Sequence, residues 1–183
     1  MRTSITVAIT VLVTLAVVGV FSVATSITGK TKVVTVTTIG RPSAAAGYVI
    51  AGVVDGSTLR LNNGQMLGLR DVDSPEPDKE CYGDESRRAL ERLAQPGTTA
   101  WVLAGSSVER GTAVSGYVVV DGVFLNVELA RQGAVAPYFG EQAGSFSRVI
   151  LRAAREAFDG RQGLWSCPGA HLDPHKPVET GRA

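Results

Sequence analysis

From residue 3 to residue 29 the chain carries no charged side chain, and residues 5–27 are almost wholly apolar or Thr/Ser. Coiled as a helix at about 1.5 Å per residue, that run reaches about 35 Å, enough to cross a hydrocarbon core of about 30 Å. It has no polar face, which sets it against a buried soluble helix. Two readings stay open. The run is longer than a usual signal-peptide core, which favours an uncleaved signal anchor over residues 1–28. Arg2 as a short basic region and Ser22-Val23-Ala24 as a small-x-small site suit a cleaved signal peptide. Arg2 favours a cytoplasmic amino terminus, while Lys30 and Lys32 pull the other way. Both readings predict a domain outside the cytoplasm, held to the membrane through the amino-terminal helix or secreted after cleavage.

The folded part must therefore be read separately. Residues 29–46 read as a linker, residues 47–168 as the domain, and residues 169–183, Pro-rich with His171 and His175, as a flexible tail. There is no internal repeat. The whole chain has a net charge of +1, but residues 47–168 hold 15 acids against 12 bases, a net −3. Such a domain has no global attraction for a polyanion. Two Cys exclude a disulfide-dense miniprotein and a four-Cys zinc site, and two His speak against a His-rich metal site.

The element order follows from apolar runs and turn residues. Residues 48–54, 58–61 and 66–72 read as three strands joined at Asp55-Gly56 and Asn63-Gly64. Pro75 and Pro77 break regular structure. Residues 84–94 read as a helix capped by Asp84. Residues 99–103 and 116–120 are strands, and Asp121-Gly122 marks a hairpin. Asn126 is expected to cap a short helix ending before Gly133. Residues 145–158 carry Phe146, Val149, Ile150, Ala153, Ala154 and Ala157 at helical spacing, with Gly160 as the stop. A small closed β-barrel with appended helices (α+β) fits this order, and an OB-type barrel is the simplest such architecture.

Read together, the motifs resemble the staphylococcal-nuclease-like (thermonuclease) family. The matching pieces are Asp55-Gly56-Ser57-Thr58, Asp73-Ser74-Pro75-Glu76 and Cys81-Tyr82-Gly83-Asp84-Glu85. Tyr117, Asp121-Gly122, Asn126, Leu129, Arg131-Gln132-Gly133 and Gly163-Leu164-Trp165 continue the series. The resemblance implies a five-stranded OB-fold and a Ca²⁺-dependent hydrolysis of DNA and RNA phosphodiesters. That chemistry needs oxygen ligands for a hard cation, a carboxylate to activate water, and guanidiniums for the phosphate.

Carried over by position, the set is incomplete. Asp73 matches a metal-binding aspartate, Ser74 a neighbour whose carbonyl is a ligand, and Glu76 the catalytic glutamate. Ser57 stands where the family's other metal-binding aspartate sits, and a hydroxyl there weakens Ca²⁺ binding. Gly68 and Ala113 occupy the places of the two arginines. Arg70 and Arg110 are the substitutes within reach, and Asp55 or Asp71 the substitute carboxylates. Against those roles, Arg70 has many acidic neighbours to pair with, Arg110 suits a solvated loop, and Asp55 suits a turn. Seven acids and one base between residues 71 and 85 also repel a phosphodiester backbone. Tyr138 and Phe139 lie near where the family places nucleotide-contacting aromatics, although core or rim packing also explains them.

The expected function is that of a nuclease-like domain with lost or strongly reduced activity, a pseudoenzyme acting as a binding or interaction module on an envelope partner. The alternative is an active nuclease using Asp73, Glu76, Arg70 and Arg110 on nucleic acid. Ca²⁺ binding is expected to be weak, and the chain to be a monomer. Outside the cytoplasm Cys81 and Cys167 are expected to pair, with two free thiols as the alternative.

Overall fold

The computed structural model describes residues 45–103, 108–110, 113–140 and 143–182. The expected amino-terminal helix and most of the linker lie outside the described residues. Among the described residues no helix is long and apolar enough to cross a membrane.

β1 (Ala45–Val53) starts inside the stretch read as linker. Its first half pairs with β5 (Thr99–Leu103) and its second half with β2 (Thr58–Leu61), antiparallel in both cases. A bulge between Ile50 and Gly52 bends it from one partner to the other. β3 (Met66–Leu69) continues the meander from β2. β7 (Ala113–Gly116) pairs with β3 in parallel, and β6 (Val108–Arg110) lies outside β7. On the other flank β8 (Val118–Val120) and β9 (Val123–Phe124) extend from β5. Asp121 and Gly122, both at positive φ (47° and 78°), turn between them as a hairpin demands. β4 (Val72–Asp73) pairs separately with β10 (Ala136–Pro137).

The described residues thus form an eight-stranded mixed sheet, a two-stranded ribbon and three helices, an α+β arrangement consistent with an OB-like fold. Ten strand segments replace the five expected, and interruptions explain part of the difference. The third strand of the meander stops at Leu69 because Asp71 takes a left-handed conformation (φ 63°), so residues 66–72 split into β3 and β4.

α1 spans Gly83–Leu93 and buries Ala89 and Leu90. Asp84 does not cap it. Tyr82 occupies that position with φ 70°, and Asp84 sits in the first turn, paired with Arg87 at 2.8 Å. α2 (Leu125–Arg131) likewise lacks the expected Asn126 cap. Asn126 is inside the helix and fully buried, accepting the Val118 amide (3.0 Å) and donating to the Arg70 carbonyl (2.8 Å). α3 (Ser147–Asp159) buries Ile150, Ala153, Ala154 and Ala157 and packs chiefly on α2. Trp165 plugs the core at the end of a 3-10 turn (Gly163–Ser166), and Trp101 packs against the core half-buried.

The tail read as flexible lies along the body instead. Val178 and Thr180 are 7 % and 5 % exposed, and the backbone of residues 178–182 is bonded to it. Cys81 and Cys167 form a disulfide, joining the turn before α1 to the residue after the 3-10 turn.

Candidate functional site

The loop between β4 and α1 carries most of the candidate side chains. Asp55, in the β1–β2 turn, accepts the Ser57 amide (2.8 Å) and hydroxyl (3.1 Å) on one oxygen, with the Ser74 hydroxyl at 3.5 Å. The Ser57 and Ser74 hydroxyls are 3.2 Å apart. The structure therefore does gather Asp55, Ser57 and Ser74, around a carboxylate whose inner oxygen is already taken by N–H and O–H donors. Gly56 makes the approach possible: a Cβ there would lie 2.9 Å from the Ser74 Cβ and 1.7 Å from the Ser86 hydroxyl.

Asp73 stands beside this group, half-buried. Its Oδ2 accepts the backbone amide of Val178 at 2.9 Å, so the tail covers it. Burial pushes the Asp73 carboxyl above its ordinary value. Amide bonds from Val178 and Ser74 oppose that shift, and the Asp55 and Glu80 carboxylates add to it.

Among the described residues Glu76 makes no hydrogen bond to this group. It is exposed, and its carboxylate takes the Lys79 ammonium at 2.5 Å, an ion pair that raises the Lys79 pKa. Its amide donates to Glu80 at 2.7 Å, closing a turn over residues 76–80. Gly83 seats that turn on α1, since a Cβ there would fall 2.2 Å from the Glu76 carbonyl oxygen.

Among the described residues Arg70 forms no ion pair with Asp73 or Glu76. Its Nε lies 3.6 Å from Asp71, and its guanidinium sits 5.8 Å from the Tyr117 ring centroid. Asp71 is no substitute ligand either. It is 6 % exposed and accepts the Tyr117 and Ser147 hydroxyls, both at 2.5 Å, and the Gly144 amide at 3.1 Å. Burial and that hydrogen bond push the Tyr117 phenol up to about 12. The left-handed turn at Asp71 separates the two roles. Before it, Arg70 belongs to the Tyr117 network. After it, Asp73 belongs to the candidate site. Arg110 closes β6, and the role expected of its side chain lies outside the described residues. Gly68 and Ala113 sit on the paired strands β3 and β7 with no side chain to reach a phosphate.

Tyr138 and Phe139 are half-buried. Their amides bond to Asp71 (3.0 Å) and to the tail carbonyl of Pro174 (2.8 Å). Sequence reasoning missed three residues that shape this face: Val178, Thr180 and Glu80. Thr180 donates its amide to Glu80 (3.2 Å) and its hydroxyl to the Cys81 carbonyl (2.7 Å). Only the placing of Val178 and Thr180 on either side of Glu179 hinted at a docked strand.

A hard divalent cation needs several anionic oxygens converging on one point. Here Asp55 and Asp73 each direct an oxygen at an N–H donor, and the third position is a hydroxyl. Among the described residues no three His, Cys, Asp or Glu side chains are grouped to hold a metal. Asp55 and Asp73 thus offer a cation two carboxylates, each with one oxygen already bonded, which is a sparse donor set for Ca²⁺.

A family model described as "Staphylococcal nuclease homologue" matches residues 66–167. No curated protein matches the chain.

Proposed function

The chain belongs to the staphylococcal nuclease homologue family, and within it we propose a binding or interaction module whose phosphodiesterase activity is lost or strongly reduced. One observation carries this reading: the tail amide of Val178 is bonded to the carboxylate of Asp73, the residue matched to a metal ligand. The positions around it agree. Ser57 has no charge to offer a cation, Glu76 is paired with Lys79, and Arg70 is turned to Asp71. Removing one oriented charge-stabilising donor costs about 10²–10³ in rate. Two arginine positions and a carboxylate position are altered together, so a loss of several decades follows even without additivity.

The uncharged stretch over residues 3–29 supports a domain held at or released from the outer face of a membrane. The Cys81–Cys167 disulfide suits the same oxidising surroundings. The test is a cleavage assay of the full chain on single-stranded DNA with Ca²⁺ against a chelator control. No difference is expected. Ca²⁺-dependent cleavage abolished by Glu76→Gln would overturn the reading.

A further inference from the structure

The carboxy-terminal segment is held on the body by two carboxylates and by the main chain of Cys81 and Pro168. The Val178 amide donates to Asp73, the Thr180 amide to Glu80, and the Cys81 amide to the Gly181 carbonyl (2.8 Å). The Gly181 amide donates to the Pro168 carbonyl (3.0 Å), and Arg182 forms an antiparallel bridge with Glu80. Side chains alternate. Val178 enters the hydrophobic core and Thr180 is buried, while Glu179 between them and Gly181 and Arg182 beyond them are exposed. Backbone bonds along an edge with pockets for alternate side chains are how sheet-edge grooves hold extended peptides. The two rims of this groove, at Cys81 and Pro168, are tied to each other by the Cys81–Cys167 disulfide.

We infer that this groove, lined by Asp73, Glu80, Cys81 and Pro168, is the module's ligand-binding surface. Its ligand is an extended basic peptide bearing a Val-x-Thr-Gly pattern, and residues 178–182 occupy it as an intramolecular competitor. The inference rests on the binding-module reading above. Charge selects the ligand: the Asp73 and Glu80 carboxylates face the segment and favour a strand bearing Lys or Arg, as Arg182 lies opposite Glu80 here. A tethered strand acts at an effective concentration of about millimolar, so a partner must out-compete it or meet it displaced.

The experiment uses the full chain carrying Val178→Asp, which puts a charge into the buried position and releases the tail. The probe is a fluorescently labelled peptide of residues 173–183, followed by anisotropy, with near-UV circular dichroism reporting the core. The variant is expected to bind the peptide at least ten-fold more tightly than the unaltered chain. A peptide carrying the same Val178→Asp change is expected not to compete. Gly181→Pro, which removes the amide donated to Pro168, is the second variant and is expected to behave alike. If either variant keeps its near-UV spectrum and ignores the peptide, the groove is not a peptide site. If both lose that spectrum, the tail is part of the core and not an exchangeable ligand, and the proposal also fails. A failed titration with the cleavage assay still blank removes this inference alone. Ca²⁺-dependent cleavage removes the reading beneath it.

Discussion

Asp73 holds a carboxylate that its surroundings disfavour. Burial is the largest influence, and Asp55 and Glu80 add like charge. A carboxyl whose folded pKa lies above its unfolded value of about 3.9 adds stability only below the unfolded pKa, and that gain is lost as pH rises through the folded pKa. At neutral pH the charge is therefore a cost. Asn in its place removes the charge and keeps an oxygen for the Val178 amide, which donates to Asp73 at 2.9 Å. Asp73→Asn is expected to raise the urea midpoint at pH 7, with the gain shrinking to nothing near pH 3. A variant less stable than the parent at pH 7 would show that the carboxylate is held favourably. Much of this site was legible in the sequence. Asp55, Ser57, Asp73 and Ser74 stand together as their order implied. Arg70 lies beside Asp71, whose left-handed turn stands between it and Asp73 in the chain. The Asp71 carboxylate in turn accepts hydrogen bonds from Tyr117, Gly144 and Ser147, which lie 46 to 76 residues away and have no local signal in the sequence.

At the scale of elements, local signals and long-range demands part company in the same way. β2 and β5 fall where apolar alternation and turn residues place them. Asp84 and Asn126 look like caps, yet Asn126 is taken by Val118 and Arg70, partners on the sheet side of the fold. Such a bond has no local pattern, so no window of sequence displays it. The strand-like docking of residues 178–182 is hidden for the same reason, since Asp73 and Val178 are 105 residues apart. Gly83 shows how tightly the elements of the site are coupled. A methyl group there would meet the Glu76 carbonyl oxygen at 2.2 Å and the Pro77 nitrogen at 2.9 Å, both backbone atoms with little freedom to yield. Gly83→Ala is expected to cost about 1–3 kcal/mol, the range for overpacking. It should also displace the turn over residues 76–80 that presents Glu80 to the tail. Thermal melting reads the first effect. Hydrogen exchange at the Thr180 amide, bonded to Glu80 at 3.2 Å, reads the second. An unchanged melting temperature would mean the turn is loosely seated.

Across the whole molecule, one covalent link joins the site loop, the end of the helical region and the tail. The Cys81–Cys167 disulfide spans 86 residues of sequence, from the turn before α1 to the end of the 3-10 turn. In the chain-entropy description a loop of that size contributes about 4–5 kcal/mol by restricting the unfolded chain. A domain's total stability is about 5–15 kcal/mol, so the link is a large share of it. Its neighbours explain a second consequence. Cys81 bonds the tail through both its amide and its carbonyl, and Pro168, next to Cys167, accepts the Gly181 amide. Cutting the link frees the two rims of the tail groove from each other. The paired change Cys81→Ser and Cys167→Ser is therefore expected to lower the melting temperature strongly and to speed exchange of the Val178 and Gly181 amides more than that of the Val118 amide in the core. Added thiol should reproduce both effects in the parent chain and leave the double variant unmoved. If thiol lowers stability while tail and core amides accelerate equally, the disulfide acts only on the unfolded chain and not on the groove.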